Sequence, residues 1–179
     1  MKRILVLIVS IVLLLSGCGM SSPSKKVEAY LDNYINMSDS VNASLETKAN
    51  LEPISNDNKL IYKDVLTRQY KNLKYEIKDE VVNGDRATVR VKIDVFDLYK
   101  VEKDSLNYAN ENRDAFLLNG EYNDDMYNQY RLNQMLNTND TVSYEIEFYL
   151  DKRDDNWVVQ EPDRTTLEKI HGLYNYDVE

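Results

Sequence analysis

Residues 73–95 read LKYEIKDEVVNGDRATVRVKIDV, and the rest of the fold follows from how this stretch is read. Leu73, Tyr75, Ile77 and Val81 alternate with Lys74, Glu76, Lys78 and Glu80; Ala87, Val89, Val91, Ile93 and Val95 resume the period of two after Asn83-Gly84-Asp85. Alternation of this kind predicts strands with one buried and one wet face, and an Asn-Gly pair between them predicts a tight turn. The stretch is therefore a β-hairpin. Two carboxylates interrupt the pattern. Asp79 and Asp97 fall on the apolar phase, where an ionised group is costly unless it reaches solvent or a partner. With Tyr99 and Tyr144 on the same face, they predict a ligand mouth at the open end of the sheet. The alternative is a bulge or strand end that turns each Asp outward.

Outward from the hairpin, Val142, Tyr144, Ile146, Phe148 and Leu150 alternate with Ser143, Glu145, Glu147 and Tyr149 in a third strand, and a turn at Arg153–Asn156 leads to a fourth strand at Trp157-Val158-Val159. Strand two carries Arg86, Arg90 and Lys92 on its polar face and strand three carries Glu145 and Glu147. As neighbours they would place opposite charges face to face, at roughly 0.2 to 1 kcal/mol a pair. This pattern fits an antiparallel sheet with one covered face.

Helices flank the strands. Ser22 as N-cap and Pro23 at the first helical position open a helix whose stripe is Val27, Tyr30, Leu31, Tyr34 and Ile35. Residues 38–58 read as irregular or weakly helical, broken at Pro53, and a second helix is expected over about 59–72. Leu167, Ile170, His171 and Leu173 predict a short closing helix after Pro162, with His171 at the surface or at the helix end. Residues 101–140 are too long for a structureless loop and predict two helices hinged near Gly120. They read either as a helical pair capping the sheet or as a partner-binding knob carrying Phe116, Tyr122, Tyr127 and Tyr130, since tyrosine is typical of interfaces.

The N-terminus has Lys2 and Arg3 followed by an apolar run, Ile4 to Leu15, broken only by Ser10. It is shorter than the roughly 18 to 20 residues a membrane span requires, so residues 1–17 read as an export signal. Leu15-Ser16-Gly17-Cys18 resembles the lipobox of bacterial lipoproteins. The resemblance implies a diacylglyceryl group on the Cys18 sulfur, cleavage between Gly17 and Cys18, and a protein held to the membrane by lipid on its extracytoplasmic face. Residues 18–26 then form a lipidated tether and 27–179 a single domain. A composition rich in Asn, Lys, Ile, Tyr and Asp suits a Gram-positive host.

From about Ser22 to Gly172, the order of helices, hairpin, insertion, hairpin and closing helix resembles the NTF2-like (cystatin-like) fold. That resemblance implies an α+β cone in which a curved antiparallel sheet of about four strands wraps the N-terminal helices, with a helical insertion between strands two and three. Catalytic members such as ketosteroid isomerase place acidic and tyrosine residues at the cone's mouth; no motif here matches those positions one by one.

Without residues 1–17 the chain has 20 basic and 31 acidic side chains, a net charge of −11. That balance argues against nucleic acid, which needs a basic face. With one histidine, one cysteine committed to lipid and five glycines, no nucleophilic triad, zinc spacing, calcium loop or phosphate loop can be assembled. The expectation is a non-catalytic binding or assembly domain without cofactor or metal, its partner a cell-surface protein or a small ligand. A small-molecule receptor using the cone is the alternative, and an isomerase- or dehydratase-type enzyme is a third class.

Overall fold

Three helices occupy the start of the folded chain, each with a serine at its N-cap position; Ser22 and Ser38 cap through their side chains, and Ser55 makes no side-chain capping bond. The structure, a computed structural model, describes residues 21–178; the signal segment, Gly17 and Cys18 lie outside the described residues. Helix α1 spans Pro23–Ile35, with the Ser22 hydroxyl accepting from the Lys25 amide. Residues 23–26, assigned to the tether by sequence, are thus its first turn. Helix α2 spans Asp39–Leu51, so of the two readings of this segment, irregular or weakly helical, the helical one holds. Ser38 caps it, and Val41, Leu45 and Ala49, one turn apart, bury a single stripe. The helix ends before Pro53. Helix α3 runs over Asn56–Lys71, starting three residues earlier than expected.

Strands β1 (Lys74–Asn83) and β2 (Arg86–Phe96) form the hairpin, with Gly84 in the left-handed conformation that the turn requires. Strands β3 (Leu117–Leu118) and β4 (Glu121–Tyr122) make a minimal second sheet. Strands β5 (Thr141–Arg153) and β6 (Asn156–Val159) complete a curved antiparallel four-stranded sheet in the order β1-β2-β5-β6. The architecture is α+β. Val89, Val91, Ile93, Ile146, Phe148 and Leu150 face inward and are fully or nearly fully buried. On the wet face the expected charges stand opposite in register; Arg90 pairs with Glu147 at 3.2 Å, while Lys92, opposite Glu145, pairs with Asp94 of its own strand at 3.3 Å.

The hairpin departs from simple alternation at one place. Its register passes from Ile77 opposite Val91 directly to Asp79 opposite Arg90, so Lys78 is an extra residue, a β-bulge. Beyond it every side chain of β1 changes face. Asp79 and Val81 go to the wet side, Val81 with 57% of its surface exposed, while Glu80 comes to the inner side. There its carboxylate accepts from the Ser24 amide at 2.9 Å and from the Ser24 hydroxyl. A negative charge at the first turn of a helix is favourable.

Helix α1 packs on β1, β2 and β6, and helix α6 (Arg164–His171) on β2 and β5. Helix α3 lies behind them. The insertion consists of α4 (Leu98–Glu111), a 3-10 turn (Arg113–Phe116), the β3–β4 hairpin and α5 (Asp124–Asn137). It packs α5 against α3 and α4 against α5, so the pair widens the helical layer beside α3, where a cap over the sheet was expected. Its two ends are pinned together where the Asp97 amide donates to the Asp140 carbonyl at 2.9 Å.

One contact ties α3, β2 and α6. The Gln69 side chain, 1% exposed, accepts from the Phe96 amide at 3.1 Å and donates to the Phe96 and Ile170 carbonyls at 3.3 and 3.5 Å. Gly172 follows α6 at φ +71° and presses on this clamp, where an added Cβ would sit well inside van der Waals contact of the Phe96 carbonyl and of Gln69 Nε2. Gly172→Ala should therefore lower the free energy of unfolding by about 3 kcal/mol, from left-handed strain plus displacement of the clamp. Urea denaturation measures this, and a loss below about 1 kcal/mol would show that the clamp yields freely.

Candidate functional site

Of the four residues expected at a ligand mouth, Asp79 separates from the other three. Asp79 lies on the wet face beside the bulge, its carboxylate accepting from the Glu80 amide at 2.9 Å. Asp97 is buried but is the N-cap of α4, accepting from the Lys100 amide and from the Tyr176 hydroxyl, both at 3.0 Å. Tyr99 packs edge-on against Tyr176 at 4.9 Å and donates to Asp177 at 3.0 Å. Tyr144 is buried on β5 with Tyr174 edge-on at 5.7 Å. Asp97, Tyr99 and Tyr144 thus share one surrounding, the segment after Gly172, whose tyrosines engage all three. Alternation along a strand carries no sign that the tail returns to it.

The insertion does gather its aromatic residues. Phe116 is buried among Tyr122, Tyr127 and Tyr130, at ring separations of 6.2, 5.9 and 5.5 Å, and Tyr108 stacks on Tyr130 at 5.0 Å. Much of this aromatic surface is therefore spent on a small core of its own. Leu106, Leu118 and Met126 remain exposed around it.

A cleft forms elsewhere, where α1, α2, α3 and α6 converge. Its volume is about 320 Å³, within the range of small-molecule sites. Helix α1 contributes Tyr30, Asn33 and Tyr34, α3 contributes Tyr70, and α6 contributes Leu167 and His171. Helix α2 contributes its Val41 and Leu45 stripe and a polar column one turn apart, Ser40, Ser44 and Lys48. Successive rings form a wall from sheet to α6: Phe148 and Tyr30 at 5.4 Å, Tyr30 and Tyr34 at 5.7 Å, Tyr34 and Tyr70 at 5.0 Å, Tyr70 and His171 at 5.6 Å. The stripe read as packing in α1 is in fact shared between core and cleft. The column on α2 was missed because its segment read only as irregular or weakly helical; the Ser38 cap and the Val41–Leu45–Ala49 spacing were the available signals.

His171, expected at the surface or the helix end, ends α6 buried. Burial, helped by the Lys48 charge, pushes its pKa down to about 3, and its Nδ1 shares a hydrogen bond with the Tyr70 hydroxyl at 3.1 Å. Burial likewise raises the Tyr30 and Tyr70 hydroxyls far above the usual tyrosine range and lowers Lys48. The cleft therefore offers rings, neutral hydroxyls, a neutral imidazole and one amine. These groups can bind and orient a molecule, and the shifts of His171, Tyr30 and Tyr70 all run away from neutrality. Among the described residues no group of three or more His, Cys, Asp and Glu side chains could hold a metal ion.

Comparison with protein families, with curated proteins and with solved structures yields no match. The cleft is therefore read from its own chemistry.

The His171 environment predicts a pH dependence. Its folded pKa lies below that of the unfolded chain, so the unfolded state binds the proton first, and stability that is complete above pH 6.5 falls with pH toward 3. The expected slope between about pH 6 and 4.5 is at most 1.4 kcal/mol per unit from this residue. His171→Gln should flatten that segment in urea denaturation. An unchanged slope would mean that the imidazole is not held neutral by burial.

Proposed function

We propose that this chain is a bacterial lipoprotein, anchored through lipid on Cys18 to the extracytoplasmic face of the cell membrane, whose folded part is a non-catalytic domain that binds a small molecule in the cleft between α1, α2, α3 and α6. The observation that carries this reading is the cleft, a concave space lined by the Tyr30, Tyr34 and Tyr70 rings of α1 and α3 and by the Ser40–Ser44–Lys48 column of α2. Apolar walls with a few convergent polar groups are the usual composition of a small-molecule site. A neutral His171 engaged with Tyr70 supports binding over catalysis. The NTF2-like cone is the finer description of the fold that we favour, on the order of its elements and its curved sheet. A second reading, an assembly surface on the insertion, is supported by the exposed Leu106, Leu118 and Met126 around the Phe116 cluster.

Two experiments test the proposal. Cys18→Ala should abolish incorporation of labelled fatty acid and leave the precursor uncleaved, whereas normal processing to a soluble form would refute the lipoprotein reading. Ser44 is exposed and lines the cleft, so Ser44→Trp should fill it while shifting the thermal midpoint by only a few degrees, as surface substitutions do. Compounds found by ligand-detected NMR on the wild-type chain should then no longer bind, and retention of every one of them would place binding outside the cleft.

A further inference from the structure

Within that cleft the charges are one-sided. Among the described residues that line it, Lys48 is the one lysine or arginine, His171 is held neutral and no Asp or Glu contributes to the wall. Burial works against the Lys48 ammonium, while Glu52 and Glu168 favour it from a distance. Among the described residues no carboxylate comes within 4 Å of its Nζ, although eleven other ion pairs are formed. One helical turn away Ser44 presents a hydroxyl to the same space, with Ser40 a turn further. Donors at i and i+4 on one helix face lie about 6 Å apart, a span that one carboxylate bridges. The Tyr30, Tyr34 and Tyr70 rings line the same space.

We infer that the cleft selects a small organic carboxylate, its anion held by Lys48 and Ser44 and its apolar body laid against the tyrosine rings. The inference rests on the small-molecule reading of the cleft and adds the sign of the ligand's charge. A half-buried ammonium gains more from a bound anion than an exposed one, because less water screens the pair. A cation would meet Lys48 as a like charge, and a neutral molecule would leave it desolvated and unpaired.

The test uses the lipidated full-length chain in lipid nanodiscs, with empty nanodiscs as blank. Naphthoate, cyclohexylacetate and octanoate are titrated calorimetrically at neutral pH beside the alcohols of the same skeletons. At least one acid should bind about tenfold or more tightly than its alcohol. Lys48→Met and Lys48→Gln should remove that difference while leaving the alcohol's affinity within about twofold, and Lys48→Arg should preserve it. Equal affinities for acid and alcohol, or a preference that survives both neutral variants, would overturn the inference and leave the cleft as a binding site. Failure of all six compounds to bind would overturn both.

Discussion

The fold depends on a single buried amide. Gln69 receives the Phe96 N–H and gives its own protons to two carbonyls, so the end of β2, the end of α6 and the middle of the helical layer are joined by one side chain. A buried primary amide left unsatisfied would cost more than these bonds contribute singly, so the arrangement holds only when all of its parts are present. Gly172 is the matching constraint on the backbone, since any side chain there would occupy the space of the clamp. The cleft lies on the same scaffold. Tyr70 follows Gln69 on α3 and His171 ends α6 just before Gly172, so the clamp and the Tyr70–His171 hydrogen bond are built from neighbouring positions of the same two segments.

A second organising element is the bulge at Lys78. One extra residue turns Asp79 out, brings Glu80 in beside Ser24, and couples the first turn of α1 to the edge strand of the sheet. The same residue explains why Val81, apolar and in phase with Ile77, ends exposed. The outer face that results is a grid of alternating charges, of which Arg90 with Glu147 is the closest cross-strand pair.

How much of this was legible in the sequence follows from the range of each signal. The hairpin, the β2–β5 pairing, α1 with its Ser22-Pro23 start and the two-helix insertion were all readable, because period and caps act over a few residues. Helix α2 was only weakly marked, because its composition is polar and its stripe is three residues long. At Asp79 the break in alternation left two readings open, a ligand mouth or a bulge, and the bulge is the one that forms. Asp97 was seen as a strand residue when its capping role needs only the helix that follows. The cleft was not legible at all: its walls come from four helices, and the contacts of Tyr70 with His171 span 101 positions of chain. Long-range closure of this kind has no local sequence signature.

The Ser24–Glu80 contact also has a mechanical meaning. The chain enters the fold at Ser22, so a pull on the preceding residues reaches α1 at its first turn and passes directly through Glu80 into β1. With 1.5 Å of rise per residue, the Tyr34 wall of the cleft lies about 15 Å further along the helix. The hairpin end of the sheet is thus fastened to one end of α1, and the cleft lies at the other end of the same helix.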